Sequence, residues 1–228
     1  MNLKKEKYYW QKGYKIIVGL DEVGRGPLAG PITAAAVIIN PRTKNIYSTK
    51  TKKLKIKDKN FLEILKNTKD SKKLTEKQRE KLFDLIKTNP FIQFSCSSVG
   101  PKKIDQINIA KANQKVMENC LRKIISPKIK NKKILILIDG NQTLSSNLSF
   151  LKKNKIVQRA VIKGDEKIFS IASASVIAKV IRDKKMKNLS LKYPQYKFNL
   201  HKGYGTKLHQ QLIKKYGSCK IHRKSFKL

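Results

Sequence analysis

Five apolar or small residues run directly into two acids: Ile16-Ile17-Val18-Gly19-Leu20, then Asp21-Glu22. No other junction in the chain constrains its fold so strongly. Branched apolar residues in so short a run read as a buried strand. Adjacent carboxylates at the end of such a strand are costly to desolvate unless they are used. The pattern recurs. Residues 134–138, the most apolar strand of the chain, end in Asp139-Gly140, and a strand over 156–162 ends in Lys163-Gly164-Asp165.

Between these strands the sequence alternates in character. Residues 32–39 read as a second buried strand. Residues 41–60 hold eight Lys or Arg with little periodicity and read as a basic loop or hairpin. Thr75-Glu76-Lys77-Gln78 is a capping box that opens a helix with Leu82, Phe83, Leu85 and Ile86 on its apolar side. Pro90 ends that helix, and 91–99 reads as a strand. A long helix is expected over 104–125, with Ile109, Ala112, Val116, Cys120 and Ile124 at three- and four-residue spacing. Another is expected over 168–187, where small residues allow close packing on a sheet. The stretch 193–228 is basic and aromatic, with one helix near 206–216. Gly24-Arg25-Gly26-Pro27 is a turn. Strands followed by alternating strand and helix predict an α/β fold, a mixed β-sheet flanked by helices.

Charge narrows the partner. The 228 residues include 53 Lys or Arg and 15 Asp or Glu, a formal net charge of +38. Such an excess favours a polyanion, nucleic acid first, although lysine spread over almost every segment also serves solubility. Three cysteines (Cys96, Cys120, Cys219) without C-x-x-C spacing suggest neither a disulfide framework nor a zinc site and fit a reducing cytoplasm. The three histidines, His201, His209 and His222, are too scattered in sequence to propose a metal site. No apolar run approaches the roughly 18 residues of a membrane span, and residues 1–15 lack the apolar core of a signal peptide. A cytoplasmic monomer without membrane association is expected.

Acids are scarce, yet three apolar strands end on them. Sites in open α/β sheets form outside strand ends. Carboxylates gathered there repel one another, and a divalent cation relieves the repulsion. Hard Mg²⁺ or Mn²⁺ prefers oxygen ligands. Two such ions about 4 Å apart can activate a water and stabilise the leaving oxygen in phosphodiester cleavage. The plainer alternatives are that Asp139-Gly140 is a turn and Gly164-Asp165 a helix cap. Asp21-Glu22 is harder to explain that way.

The segment from Gly19 to Pro31, GLDEVGRGPLAGP, closely resembles the signature of the ribonuclease HII family. The likeness continues in order through Asp70-Ser71-Lys72-Lys73-Leu74, Asp139-Gly140-Asn141, Lys163-Gly164-Asp165, the run 170–183, Tyr193-Pro194, the run 201–206 and His222-Arg223-Lys224-Ser225-Phe226. The resemblance implies a ribonuclease H-like fold over 14–190 with a small C-terminal helical extension over 191–228. It implies a metal-dependent endonuclease that cuts the RNA strand of RNA–DNA hybrids and cuts 5′ to single ribonucleotides in duplex DNA. The ends left would be 5′-phosphate and 3′-hydroxyl. By the same resemblance, Asp21, Glu22, Asp139 and Asp165 would hold two Mn²⁺ or Mg²⁺ ions. The backbone of Gly24, Arg25 and Gly26 would contact the 2′-hydroxyl, which distinguishes RNA from DNA. Tyr204 would stack at the ribonucleotide–deoxynucleotide junction, its alternative being ordinary packing. Lys179, Arg182 and Lys202 are candidate phosphate contacts by charge, each with a plain surface role as the alternative. His222 and Arg223 receive no chemistry, and Asp183 is a helix-face partner for nearby cations.

Two departures from the family pattern stand out. Residues 41–69 exceed the usual connection and read as a basic surface insertion, and no sliding-clamp peptide is expected after Phe226. Two rivals remain at this level. One is ribonuclease HIII, whose glycine loop typically lacks the arginine and which carries an extra N-terminal domain. The other is a non-catalytic basic RNA-binding protein, in which the strand-end acids would be turns and caps.

Overall fold

The computed structural model describes residues 1–39, 58–68, 74–125, 133–145 and 156–226. Five strands form one mixed sheet in the order β3-β2-β1-β4-β5. They are β1 (Ile16–Val23), β2 (Ile32–Ile39), β3 (Ile92–Val99), β4 (Ile134–Asp139) and β5 (Ile156–Val161). β1 pairs antiparallel with β2 and parallel with β4; β2–β3 is antiparallel and β4–β5 parallel. The expectation of an α/β fold, a mixed sheet flanked by helices, holds.

Helices cover both faces. α1 (Lys4–Gln11), α2 (Lys59–Asn67) and α3 (Glu76–Thr88) precede β3, and α4 (Pro101–Ile124) follows it. After β5 come the single turn α5 (Gly164–Lys167) and the long α6 (Phe169–Lys192), then a 3₁₀ turn (Pro194–Tyr196), α7 (Phe198–His201) and α8 (Lys207–Tyr216). Alternation along β1 sorts the core. Ile17 joins the cluster formed with α1, α2, α3 and α6, whereas Ile16, Val18 and Leu20 join the cluster under α4. A smaller cluster of Ala29, Met186, Tyr196 and Phe198 ties the last segment to α6. None of the described helices is long and apolar enough to cross a membrane.

Gly19 explains how close α6 lies to the sheet. A Cβ there would overlap the backbone of Ser170 and Ile171, so β1 meets the first turn of α6 without an intervening side chain. The capping box at Thr75 forms as expected, with reciprocal bonds between Thr75 and Gln78. Two helices depart from the sequence reading. α1 was not expected because its face is built from Tyr9, Trp10 and a fully buried Glu6, not from aliphatic residues. Its acid is there for α6: Glu6 Oε1 accepts from Ser170 N–H at 2.9 Å, serving a helix end that lacks a side-chain cap of its own. α2 falls at the edge of the basic stretch read as loop, with Asp58 as N-cap and Phe61, Ile64 and Leu65 buried. Residues 40–57 and 69–73, which carry most of that stretch and of the Asp70–Leu74 block, lie outside the described residues.

Candidate active site

Three of the four expected carboxylates meet at one edge of the sheet. Parallel pairing of β1 with β4 sets Leu20 opposite Ile138, so Asp21 and Asp139 leave adjacent strands side by side. Asp21 continues the register that faces α6 and is hydrogen-bonded by Ser175 of that helix; its Oδ1 also accepts from Glu22 N–H at 2.7 Å. Glu22 takes the opposite face and lines a cleft with Arg25, Asn113, Gln114, Asp139 and Asn141, walled by α4. Asp165 is one of two first-turn acids of α5, beside Glu166, and Asp139 ties it in: Asp139 Oδ1 accepts from Gly164 N–H at 2.7 Å and Asp165 N–H at 3.4 Å. Gly140, at φ +101°, fits the turn alternative for Asp139-Gly140, whereas the cap alternative for Gly164-Asp165 does not hold, because α5 has Lys163 at its N-cap and the acceptor for its first N–H groups is Asp139.

The electrostatics are those of crowded acids. Burial, then the charges of Glu22 and Asp139, push the Asp21 carboxyl well above the usual carboxylate range. Burial also raises Glu22, against the pull of Arg25, whose guanidinium lies 3.5 Å away. Each acid is thus held by a local donor. Among the described residues, no three His, Cys, Asp or Glu side chains are gathered closely enough to form a finished metal cage. The donor set is nonetheless all hard carboxylate oxygen, with Asp21 and Asp165 buried and Asp21, Glu22 and Asp139 mutually repelling, which suits a hard divalent cation.

Gly24 has φ +92° and packs on Arg182, where a Cβ would collide with its side chain, whereas Gly26 faces open space. Tyr204 is 39% exposed, with its ring 5.5 Å from Arg182 Cζ and 5.9 Å from Lys179 Nζ. Leu28 N–H and Ala29 N–H both donate to Gly203 O, at 2.9 and 3.2 Å, so the glycine loop and Tyr204 share one scaffold. Lys179 donates to Asp183 Oδ1 at 3.0 Å, and Lys202 donates to Asn199 O at 2.6 Å and lies 3.9 Å from Glu76. Asp183, expected as a partner of helix cations, holds Lys179 and also lies 4.0 Å from Arg79.

Arg182 requires a correction. Expected as a phosphate contact, it is fully buried, donating from Nε to Pro31 O at 2.9 Å and from a terminal nitrogen to Ala29 O at 3.4 Å. Its guanidinium faces backbone carbonyls, not solvent. The histidines also behave unexpectedly: although scattered in sequence, His201 stacks on His209 at 4.2 Å, and His209 Nε2 lies 3.1 Å from His222 Nε2. Sequence reading gave Arg223 no role, yet it grips the glycine loop from inside. The cleft residue Asn113, whose Oδ1 is buried without a hydrogen-bond partner among the described residues, was also missed. Its signal was a polar residue within the apolar spacing of α4.

The model for the family described as ribonuclease HII matches residues 18–228. Ribonuclease HII of Caldicellulosiruptor bescii is 42% identical over 235 residues, covering 99% of this chain and 97% of the relative. That of Fusobacterium nucleatum is 41% identical, covering 96% and 89%. Among solved structures, ribonuclease H2 from Pyrococcus horikoshii OT3 superposes with a TM-score of 0.67 at 24% identity, covering 93% of this chain and 94% of that one. Bst-RNase HIII in complex with Mn²⁺ gives 0.64 at 20%, covering 91% and 65%, a likeness of fold. Near-complete coverage by named relatives sets aside the non-catalytic RNA-binding reading, and the chain belongs to the ribonuclease HII family of endoribonucleases.

Proposed function

We propose that the protein hydrolyses the phosphodiester on the 5′ side of a ribonucleotide within duplex DNA, as well as cutting the RNA strand of RNA–DNA hybrids. Water adds to phosphorus, the P–O3′ bond breaks, and 5′-phosphate and 3′-hydroxyl ends remain. The observation that carries this reading is the juxtaposition of Asp21, Glu22 and Asp139 at the sheet edge with the Gly24-Arg25-Gly26 loop. Open space beside Gly26 leaves room for a sugar to approach backbone there. Asp21, Glu22, Asp139 and Asp165 would hold Mg²⁺ or Mn²⁺, which when bound supplies charge neutralisation and an acidified water.

The remaining roles belong to the chain itself. The backbone of Gly24, Arg25 and Gly26 reads the 2′-hydroxyl, and Tyr204 offers its exposed ring to the neighbouring nucleotide. Lys179 and Lys202, freed from Asp183 and Glu76, meet phosphates on the Tyr204 side. We read 14–190 as the catalytic domain and 191–228 as a helical extension packed on it; the shared cluster of Ala29, Met186, Tyr196 and Phe198 supports the packing.

The test is a labelled DNA duplex carrying one ribonucleotide, incubated with Mg²⁺, Mn²⁺ or EDTA, with D21N and an all-DNA duplex as controls. Metal-dependent cutting 5′ of the ribonucleotide that D21N abolishes is expected. Full activity of D21N would refute the assignment. Cleavage of a long hybrid alone would point to type 3 specificity.

A further inference from the structure

We propose that His222 and Arg223 are a positioning pair that sets the Gly24-Arg25-Gly26 loop against Tyr204 and so determines how strictly a single ribonucleotide is selected; the inference rests on the reading of that loop and Tyr204 given above. Neither residue touches the carboxylates. Their contribution is made through backbone that the substrate is proposed to meet.

Residues 221–223 run beside the end of the glycine loop. Gly30 N–H donates to Ile221 O at 2.9 Å, Arg223 N–H donates to Leu28 O at 2.8 Å, and Ala29 bridges His222. From this anchor the Arg223 side chain turns inward, 2% exposed. Its guanidinium fork donates to three carbonyls of one loop: Gly30 O at 3.0 Å, Arg25 O at 2.8 Å and Gly24 O at 2.6 Å. Arg182 holds the carbonyls on either side of Gly30, those of Ala29 and Pro31, from α6. Two guanidinium groups desolvated together repel, and burial followed by the charge of Arg182 pushes Arg223 down to about 10. A buried cation with no carboxylate at salt-bridge distance among the described residues, and among carboxylates only the more distant charge of Asp105 to favour it, is an expensive way to fix a loop. Its planar five-donor fork is, however, suited to gripping successive carbonyls at fixed spacing.

His222 does the same for Tyr204. Its Nδ1 accepts from Cys219 N–H at 2.9 Å, which leaves the proton on Nε2 to be donated to His209 Nε2 at 3.1 Å. His209 must then carry its proton on Nδ1, which donates to Tyr204 O at 2.9 Å. A continuous chain of donors thus ends on the carbonyl of the proposed stacking residue. Adjacent residues hold the two halves of one recognition surface, and displacing either half changes the register between the 2′-hydroxyl reader and the stacking ring.

Register matters unequally for the two substrate classes. A continuous RNA strand presents a 2′-hydroxyl at every position, so a slackened loop still finds one. A single embedded ribonucleotide offers one productive register. Loss of positioning therefore predicts selective loss on the single-ribonucleotide substrate, whereas simple loss of folded protein lowers both rates together.

The experiment compares kcat/KM on a duplex with one ribonucleotide and on a uniform RNA–DNA hybrid, in the same preparation, for wild type, R223K and H222Q. R223K keeps the charge but lacks the fork; H222Q keeps a side chain that reaches toward His209 but cannot reproduce both ring bonds. For R223K the ratio of single-ribonucleotide to hybrid activity is expected to fall about tenfold, less than the roughly hundredfold that a 1 Å misplacement can cost, with a smaller fall for H222Q. The salt dependence of binding is expected to keep its slope, since a buried Arg223 makes no phosphate contact. Parallel losses on both substrates in both variants, or an unchanged ratio, would overturn the inference. Absence of ribonucleotide-dependent cutting by the wild type would instead overturn the proposed function.

Discussion

His222 Nε2 lies 3.1 Å from His209 Nε2 inside the C-terminal segment, and both rings are buried. One nitrogen gives a proton and the other must be bare, so the accepting His209 is neutral, and His222 is neutral too because its Nδ1 accepts from Cys219 N–H. Burial depresses His209 to about 4 and also lowers His201 and His222. An unfolded histidine titrates near 6.5. Below that value the unfolded chain binds more protons than the folded one, so this stability is complete above about pH 6.5 and is lost as pH falls toward 4. Thermal melts should show Tm dropping by about 5 °C between pH 7.5 and 5, with a shallower dependence in H209Q. Equal slopes in the two proteins would count against the histidine pair as the cause.

Gly19 leaves no room between β1 and α6. In G19A the new methyl would meet the backbone of Ser170 and Ile171, which cannot rotate aside as a side chain could. Overpacking of this kind costs about 2 kcal/mol or more. Because Asp21 lies two residues further along the same strand, displacement of β1 also carries the acid away from Ser175. Chemical denaturation should show the loss of stability, and cleavage should fall beyond what the folded fraction explains.

How much of this was legible follows from what each signal depends on. The strands β1, β2 and β4 were readable because their apolar runs are uninterrupted, and Asp21, Glu22 and Asp139 because they close two of those runs. α1 was hidden because its buried face consists of Glu6, an acid expected at the surface, with Tyr9 and Trp10 adjacent in sequence and no aliphatic residue at helical spacing between the lysines. Arg182 read as a phosphate contact because charge is visible in sequence while burial is not; its carbonyl partners, Ala29 and Pro31, lie more than 150 positions away. The histidine cluster was invisible for the same reason, as tertiary packing alone unites 201, 209 and 222.

Asn108 interrupts α4 with φ 64° and ψ 167°, a region that only glycine enters cheaply. Its side chain compensates in part, with Oδ1 accepting from Lys111 N–H at 3.0 Å to cap the helix that resumes beyond it. The resumed helix carries Asn113 and Gln114 into the cleft beside Glu22. Glycine would relieve strain of about 1–3 kcal/mol and lose only a few tenths as a cap. N108G should therefore be at least as stable as wild type in urea titrations, and N108A clearly less stable. The reverse order would mean that the cap outweighs the backbone.

Asp21 should reveal a conflict between stability and activity. Its carboxyl is buried beside Glu22 and Asp139 and pushed well upward, first by burial and then by those charges. The folded state therefore holds its proton more tightly than the unfolded state does. As pH rises from the ordinary carboxylate range through the raised value, the unfolded state sheds its proton first and stability falls. Near neutral pH without metal, the charge is a net cost. D21N removes that charge while its side-chain oxygen can still accept from Glu22 N–H, a bond of 2.7 Å in the native chain. In EDTA, D21N should melt about 2–4 °C above wild type, the shift expected of roughly 1 kcal/mol in a chain of this size. Adding Mg²⁺ or Mn²⁺ should raise the wild-type Tm and leave D21N almost unmoved, since a cation bound only by the folded state stabilises it by an amount that grows with the logarithm of its concentration over Kd. A D21N protein that melts below wild type in EDTA would show that the carboxylate is held by its hydrogen bonds more than it is strained by its neighbours. Metal stabilisation that survives in D21N would remove Asp21 from the proposed ligand set.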